Sequence, residues 1–268
     1  MSGRDVPKSR ELAIRTAAGV TMIAAAALAL WAGDLVFWLF CSVLGLVMMY
    51  EWGGLDRATP RAIRLAQLAV GVPLAILSPL AAGPGFFALG LIAGAAFFIV
   101  IVTRRPQLAF GAVYVGLPIL ALLLIREEPR GIEFTFWTLA VVWAADTGAY
   151  FSGRTFGGPK LMPRVSPNKT WAGLGGGIVA AGLFGVAMHY GTGLPLRMVL
   201  ASPALAVLAQ AGDLYESWLK RRVGAKDSGT LIPGHGGVLD RLDGLVPVAP
   251  VAALLVVAPR FLYPLLGA

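Results

Sequence analysis

The sequence predicts an all-α fold, a polytopic bundle of about nine transmembrane helices. The chain has 268 residues, of which 57% are hydrophobic and only 13% are charged, whereas an ordinary soluble domain is about 25% charged. Apolar runs of roughly 17–25 residues, long enough to cross a bilayer, recur along the chain. Because backbone polar groups in lipid must be satisfied within the segment, these runs predict helices, and they lack the alternation of membrane β-strands.

The runs can be placed in order along the chain. The first follows a short basic N-terminus and continues quickly into further runs, so we interpret it as a retained helix rather than a signal peptide. The second and eighth runs are shorter than the others. The expected spans centre on Ala13–Trp31, Leu35–Tyr50, Leu65–Leu80, Phe86–Val102, Ala109–Ile125, Phe134–Phe151, Trp171–His189, Met198–Gly212 and Leu245–Leu266.

The positions of the basic residues predict how the helices are oriented. If the N-terminus is cytoplasmic, 18 of the 22 Lys and Arg residues fall in segments on the inner side. The outer side keeps only Arg126, Arg130, Arg197 and Arg260. Such a bias predicts that the N-terminus lies inside, the C-terminus lies outside, and the number of spans is odd.

Composition also excludes several kinds of site. The formal net charge is +8, which in a soluble protein would suggest nucleic-acid binding. In a membrane protein we instead expect the basic residues to face the cytoplasm and anionic lipid, with no nucleic-acid partner. Cys41 is the only cysteine, so the chain can form neither an intrachain disulfide nor a cysteine-based zinc site.

Two connecting segments in the second half are longer and chemically richer than the others. They are residues 152–170 and 213–244, and both are expected on the inner side. Loops on a rigid scaffold commonly carry function. We therefore divide the chain into N-terminal scaffold helices, residues 1–133, and a C-terminal catalytic region, residues 134–268.

The segment from Asp213 to Gly244 contains the residues most suited to metal chemistry. Asp213 directly follows an apolar run, and carboxylates at or within a membrane boundary are functional candidates. Asp240 and Asp243 are three residues apart and would share one face of a helix. With Asp213 from a neighbouring helix they would form an all-oxygen site suited to Mg²⁺. Alternatively, the pair could stabilise a helix N-terminus in an ordinary solvated loop.

The same segment carries groups that could bind phosphate. Its basic residues include Lys220, Arg221 and Lys226, and basic side chains beside carboxylate-bound metal are typical of phosphoryl or nucleotidyl transfer. Gly236 and Gly237 would allow the backbone to approach a phosphate closely. His235 could serve as a base, a metal ligand or a turn residue, and we favour a phosphate or headgroup contact. No GxxxxGK[ST] stretch is present, which excludes a P-loop.

The other rich segment adds a carboxylate and further basic residues. Asp146 lies inside an apolar run near its inner end and would require a cation nearby. Arg154 and Lys169 are among the four basic residues that follow it. Ser166-Pro167 predicts the start of a helix, whose free N–H groups favour an anion. An ordinary basic loop capped at the next helix is the alternative.

These residues together resemble a known family. The pattern S-x-L-K-R-x4-K-D-x-G-x2-[LI]-P-G-H-G-G-x2-D-R-x-D runs unbroken over 27 positions from Ser217 to Asp243. It resembles the signature of the phosphatidate cytidylyltransferases, also called CDP-diacylglycerol synthases. The upstream stretches Asp146–Tyr150 and Ser166–Thr170 also look like the family, so the resemblance covers about the second half of the chain.

The resemblance implies an activity, ions and an assembly. It implies an integral enzyme of a bacterial-type inner membrane, with its active site facing the cytoplasm, that transfers CMP from CTP to phosphatidic acid and releases pyrophosphate. It implies Mg²⁺, with K⁺ as a candidate second ion, and a homodimer. By position, Asp213 and Asp240 would hold the metal, Asp243 would support them, and Ser217 and Lys220 would lie at the nucleotide. Asn168 and Ala172 depart from the family, which often has Lys and Glu there.

These considerations lead to one predicted mechanism. A phosphatidate oxygen attacks the α-phosphorus of CTP, so no strong general base is needed, and positioning and electrostatics provide most of the catalysis. The predicted catalytic residues are Asp213, Asp240, Asp243 and Lys220. The predicted substrate-binding residues are Ser217, Arg221, Lys226, His235, Gly236, Gly237, Arg241, Asp146, Arg154 and Lys169. The rival functions are a CTP-dependent lipid kinase and an ion-coupled transporter.

Overall fold

The computed structural model describes residues 8–231 and 236–262, and within them nine helices of 17–27 residues occupy the nine positions expected for the spans. A one-turn helix and a two-stranded hairpin complete the described structure. In chain order the elements are α1 Lys8–Ala32, α2 Asp34–Leu55, α3 Pro60–Ile76, α4 Phe87–Thr103, α5 Pro106–Arg126, α6 Gly131–Phe156, β1 Lys160–Met162, β2 Ser166–Thr170, α7 Trp171–Thr192, α8 Leu196–Arg222, α9 Leu239–Leu242 and α10 Leu245–Leu262.

The bundle has the apolar surface of a membrane protein. Of the described helices, four are long and apolar enough to cross a bilayer, namely α2, α5, α7 and α8. The stretches Gly19–Ala32, Phe87–Thr103 and Leu245–Pro259 are apolar but shorter. Large apolar side chains cover the outside, among them Leu68, Leu183 and Leu200, and a soluble monomer rarely exposes so much contiguous apolar surface. Helix α5 is the most buried of the four long spans and lies against α2, α4 and α10.

Local sequence signals explain several helix boundaries. Helix α3 begins with Pro60, whose fixed φ suits the first helical position, and the Thr59 hydroxyl accepts the N–H of Ala62 at 3.3 Å. Helix α7 begins in the same way, because the Thr170 hydroxyl accepts the N–H of Gly173 at 3.0 Å. This cap fixes the point at which the hairpin strand β2 turns into α7.

Small residues allow α6 and α7 to pack closely. A Cβ atom at Gly148 of α6 would lie 2.4 Å from the Cβ of Ala180, and one at Gly177 of α7 would lie 2.8 Å from the carbonyl oxygen of Ala145. Glycine at such contacts lets two membrane helices approach backbone to backbone. The close approach sets the position of Asp146 on α6 relative to the hairpin that precedes α7.

At one end of the bundle, arginine side chains contact neighbouring helix connections. Arg57 in the α2–α3 connection donates to the carbonyl of Val223 after α8 at 2.7 Å, and Arg105 before α5 forms an ion pair with Asp56 at 3.0 Å. Arg221 on α8 reaches the hairpin carbonyl of Val165 at 3.4 Å. The connections α2–α3, α4–α5, α6–α7 and α8–α9 therefore lie together.

The opposite end gathers the remaining connections. Arg126 at the end of α5 donates to the carbonyl of Leu30 in α1 at 3.3 Å. Arg130, before α6, donates to the carbonyls of Thr192 at 2.7 Å and Gly193 at 3.1 Å, after α7. A Cβ at Gly83, in the α3–α4 connection, would lie 3.6 Å from Glu127 after α5. Sequence-consecutive connections thus alternate between the two ends of the bundle.

The structure corrects three local expectations. The fold is not purely α, because Ser166–Thr170 forms strand β2, antiparallel to β1, instead of starting a helix at Ser166-Pro167. The eighth helix does not end at Gly212 but continues to Arg222. At 1.5 Å per residue its 27 residues reach about 40 Å, longer than the roughly 30 Å of a hydrocarbon layer. The rich segments 152–170 and 213–244 are therefore partly regular structure rather than loops.

Candidate active site

Helix α8 presents the first group of predicted residues on one face. Asp213, Ser217 and Lys220 are spaced four and three residues apart, which stacks their side chains along the helix. The Ser217 hydroxyl donates to Asp213 Oδ1 at 3.2 Å. Lys220 Nζ donates to Glu216 Oε1 at 3.1 Å, and the Glu216 side chain is fully buried. The continuation of α8 beyond Gly212 is what aligns these side chains.

Asp240 joins this face through an ion pair with Lys220. Lys220 Nζ lies 2.6 Å from Asp240 Oδ1, and both side chains are nearly buried, at 12% and 5% exposure. Asp240 Oδ2 accepts the N–H groups of Ser228 and Gly237, each at 2.8 Å, and the Ser228 hydroxyl at 2.9 Å. Burial alone would raise the pKa of Asp240, but the hydrogen bonds from Lys220, Gly237 and Ser228 lower it below its ordinary value. Asp240 is therefore an anion at neutral pH.

The hairpin brings a second lysine to α8. Lys169, near the end of β2, forms an ion pair with Asp213 Oδ2, and both side chains are partly exposed. The β1–β2 pairing and the Thr170 cap of α7 hold Lys169 in this position. Two segments more than forty residues apart in the chain thereby contribute one carboxylate–lysine pair.

Asp243 lies just after α9, where the chain turns into α10. Its Oδ1 accepts the N–H of Gly244 at 2.7 Å. Burial and then the negative charge of Asp213 raise its pKa above the ordinary value, although Gly244, Lys169 and Lys220 oppose the shift. Asp240 and Asp243 therefore do not act as an equivalent pair: Asp240 is neutralised by Lys220, and Asp243 keeps no comparably close basic partner among the described residues.

An apolar cavity of about 550 Å³ opens beside this cluster. Asp146, Arg241 and Asp243 form its polar end. Its walls come from α1, α2, α5, α6 and α10, and include Met22, Phe37, Leu44, Ile119, Leu139 and Val246. A mostly apolar cavity with a few polar groups at one end is typical of a site for an amphipathic ligand.

The predicted magnesium ligands are not gathered into a ready-made cage. Among residues 8–231 and 236–262, no group of three or more Asp, Glu, His or Cys side chains is close enough to hold a metal ion. Instead Lys169 contacts Asp213 and Lys220 contacts Asp240. Because Mg²⁺ commonly binds through one or two carboxylates together with substrate phosphates, and these donors are hard oxygens, the residues fit Mg²⁺ that binds with a nucleotide.

Several other predicted substrate-binding residues lie at the same end of the bundle but make no ion pair with these carboxylates in the described structure. Arg154 is exposed and donates to the Tyr150 hydroxyl at 2.8 Å. Arg221 is exposed and contacts the hairpin backbone, and Lys226 is exposed in the segment after α8. His235 lies outside the described residues.

The two predicted glycines lie close to carboxylates. Gly236 has a φ of +82°, and a Cβ there would lie 2.9 Å from Asp240 Oδ2. A Cβ at Gly237 would lie 2.2 Å from the Ser228 hydroxyl. Gly236 therefore needs both the left-handed backbone region and the space of glycine, and the close approach that was predicted for a phosphate is made here by side chains of the protein itself.

Sequence reasoning missed Glu51, which comes from the first half of the chain. It is only 2% exposed, and it accepts the N–H groups of Val238 and Leu239. The available signal was a carboxylate at the end of an apolar run, but Glu51 follows directly after the expected second span and resembled an ordinary boundary residue. Glu216 and Ser228 were likewise not selected as site residues.

Comparison with known proteins decides the family. A family model described as the cytidylyltransferase family matches residues 13–258, which is most of the chain. The chain belongs to the cytidylyltransferase family. The phosphatidate cytidylyltransferase of Brucella suis is 44% identical over 234 residues, covering 84% of this chain and 85% of the relative. That of Rickettsia felis is 34% identical over 202 residues, covering 70% and 89%.

Membership of this family extends beyond the signature segment. The phosphatidate cytidylyltransferase of Bacillus subtilis is 40% identical over 147 residues, covering 53% of this chain and 55% of the relative. The match of the cytidylyltransferase model begins in α1, so it includes the first-half helices that line the cavity and carry Glu51. The predicted resemblance, which rested on the second half, is confirmed.

Proposed function

We propose that this protein is a phosphatidate cytidylyltransferase, which transfers CMP from CTP to phosphatidic acid and forms CDP-diacylglycerol and pyrophosphate. Two ion pairs, Lys169 with Asp213 and Lys220 with Asp240, form a carboxylate–lysine cluster. The observation that carries the proposal is that this cluster lies beside an apolar cavity, in a chain of this family. One substrate of this reaction is a lipid and the other is a nucleotide triphosphate. The cavity would hold the lipid and the carboxylate–lysine cluster would hold the nucleotide, with Asp243, which lines the cavity and interacts electrostatically with Asp213, between them.

The cavity supports the lipid half of the reaction. An acyl chain would occupy the apolar walls, and the phosphate of phosphatidic acid would lie at the polar end beside Arg241. Guanidinium groups suit phosphate oxygens because they donate in a planar fork. The acyl chain would thus keep the attacking phosphate oxygen beside the carboxylate–lysine cluster, and such positioning can lower the barrier by several kcal/mol.

The two lysines support the nucleotide half. Lys169 and Lys220 neutralise Asp213 and Asp240 in the described structure. When CTP binds, we expect both amino groups to turn towards its phosphates, which frees carboxylate oxygens to share a cation with the same phosphates. Asp213, Asp240 and Asp243 would hold Mg²⁺, which when bound neutralises charge on the phosphate chain; K⁺ is a candidate second ion. Lys220 would then stabilise departing pyrophosphate.

The remaining predicted residues would bind more peripherally. Arg221 and Lys226 are exposed at the same end of the bundle and can reach the β- and γ-phosphates only if the nucleotide extends towards solvent. Ser217 would keep Asp213 oriented through its 3.2 Å hydrogen bond. Arg154, which lies on the exposed last turn of α6, would attract anionic substrate rather than contact the reacting phosphate.

The proposal includes a topology of nine spans with a cytoplasmic N-terminus, in a bacterial-type inner membrane. Its support is the alternation of the helix connections between the two ends of the bundle, together with the concentration of basic residues at the end that carries the site. CTP is a cytoplasmic metabolite, so the site would face its supply.

Incubation of the purified protein in detergent with phosphatidic acid, Mg²⁺ and CTP labelled at both the α- and γ-phosphates tests the reaction. We expect the α-label in lipid and the γ-label in pyrophosphate. Transfer of the γ-label to an added prenol, with release of CDP, would instead establish a lipid kinase. If folded protein formed neither product, the enzymatic proposal would be wrong, and ion-coupled transport would be tested next.

A further inference from the structure

Glu51 is a buried carboxylate whose partners are distant in the chain. Its Oε1 accepts the N–H of Val238 at 2.9 Å, and its Oε2 accepts the N–H of Leu239 at 2.8 Å. The hydroxyl of Ser228 lies 3.2 Å from the same Oε2. Burying a carboxylate is costly unless hydrogen bonds compensate, and here all the compensating donors come from the segment between α8 and α10. Glu51 therefore joins α2 to both ends of that segment.

A continuous series of contacts leads from Glu51 to the predicted catalytic residues. The Ser228 hydroxyl that lies against Glu51 also lies 2.9 Å from Asp240 Oδ2. Asp240 in turn contacts Lys220 at 2.6 Å. Ser228 therefore holds Asp240, the carboxylate that pairs with Lys220, and Glu51 in turn holds Ser228.

The glycines of the segment fit closely around the same carboxylate. A Cβ at Gly229 would lie 2.7 Å from Glu51 Oε1, and a Cβ at Gly237 would lie 2.6 Å from Glu51 Oε2. Real Cβ atoms essentially never come this close to a heavy atom. A side chain at either position would therefore have to displace the Glu51 carboxylate, and at Gly237 the Ser228 hydroxyl as well.

We propose that Glu51 is a positioning residue for cytidylyl transfer. It holds Ser228, Val238 and Leu239 in place, and thereby sets the orientation of Asp240 toward Lys220 and the bound nucleotide. Glu51 is not among the described residues that line the apolar cavity. The assignment of a catalytic consequence rests on the proposed function, whereas the anchoring itself rests on the hydrogen bonds alone.

The test compares Glu51→Gln with a matched control, Asp56→Asn. Both remove one negative charge near the same end of the bundle, but Asp56 pairs with Arg105 outside the site. In Glu51→Gln an amide NH₂ replaces one acceptor oxygen and cannot accept an N–H. We expect kcat at saturating CTP to fall roughly 10–100-fold, the range seen when a partner that orients a ligating group is lost, while the KM for phosphatidic acid stays within about threefold of the unaltered value because Glu51 is not among the residues that line the cavity.

Hydrogen exchange provides a readout that does not depend on activity. We expect amide exchange in a peptide covering Val238–Leu242 to accelerate in Glu51→Gln but not in Asp56→Asn. Unchanged exchange, or an equal loss of kcat in both variants, would overturn the proposal.

Ser228→Ala keeps the test decisive if Glu51→Gln does not fold. It removes the hydroxyl between Glu51 and Asp240 but leaves both backbone hydrogen bonds to Glu51. We expect a smaller loss of kcat in the same direction, and a normal kcat would contradict the proposed link. If the unaltered protein formed no CDP-lipid, the proposed function would fail, and the exchange comparison alone would then decide whether Glu51 anchors the segment.

Discussion

Replacing Asp240 with asparagine should abolish turnover while leaving the protein folded. The carboxylate contacts Lys220 at 2.6 Å, the backbone N–H groups of Ser228 and Gly237 at 2.8 Å, and the Ser228 hydroxyl at 2.9 Å. An asparagine oxygen can retain the contacts to Ser228 and Gly237. Its NH₂ group would then face Lys220, donor against donor, and the charge-assisted hydrogen bond would be lost.

The size of the stability loss follows from that one contact. A hydrogen bond to a charged group contributes about 1.5–3 kcal/mol. Because Lys220 keeps its second partner, Glu216 at 3.1 Å, we expect the unfolding free energy to fall by about 2 kcal/mol. The effect on catalysis should be larger, since Lys220 and the cation would both lose their orientation. A loss of about 100-fold or more in kcat is the scale for removing one preorganised electrostatic group.

The assay measures incorporation of α-labelled CMP into lipid, beside a thermal midpoint in detergent. Glu133→Gln is the matched control, because Glu133 forms a comparably close ion pair with Arg130, at 2.5 Å, but at the opposite end of the bundle. We expect this control to lose stability and keep its kcat. If folded Asp240→Asn kept near-normal turnover, or if the control lost as much kcat, the assignment of Asp240 to the catalytic cluster would be wrong.

Three further predictions concern the lysine, the cavity and the turn before α10. Lys169→Met should leave Asp213 without its basic partner and lower kcat/KM for CTP roughly tenfold, as measured by initial rates; an unchanged value would remove Lys169 from the nucleotide site. Leu44→Trp should partly fill the cavity and raise the KM for long-chain phosphatidic acid several-fold but not for the dioctanoyl form, whereas Leu28→Trp on the exposed face of α1 should change neither. Folding raises the pKa of Asp243. Between its ordinary pKa and the raised pKa, the folded state therefore binds more protons than the unfolded state. The free energy of unfolding should fall as the pH rises through that window. Without Mg²⁺, thermal midpoints of Asp243→Asn should show a weaker fall, and an identical pH profile would contradict the raised pKa.

Much of the fold was predictable because its causes are local. An apolar run of bilayer length must satisfy its own backbone hydrogen bonds, so the nine helices occur where the runs are. The signature from Ser217 to Asp243 identified the family, and the i, i+4 and i+7 spacing of Asp213, Ser217 and Lys220 would place them on one face once that stretch is helical. The helix ends were less predictable: α8 continues past Gly212 to Arg222, through polar residues that the hydrophobic pattern alone does not mark as part of a span.

The partners within the site were decided by tertiary structure. Nothing in the local sequence states that Lys169 pairs with Asp213 and Lys220 with Asp240, because those pairs depend on how the hairpin and α9 pack against α8. A short polar stretch such as Ser166–Thr170 has weak helix and strand preferences, and its pairing with β1 settled the outcome.

Glu51 best illustrates the difference between what the sequence predicts and what only the tertiary structure shows. The sequence by itself determined that this protein has membrane helices and which family it belongs to, and it predicted several of the polar residues that meet at the candidate site, among them Asp213, Lys220 and Asp240. Only the tertiary structure showed that a carboxylate from α2 accepts the N–H groups of Val238 and Leu239. The physical reason is range: hydrophobic periodicity and helix spacing act over a few turns of one chain segment, whereas a buried carboxylate selects its donors by proximity in space, across 187 residues in this case.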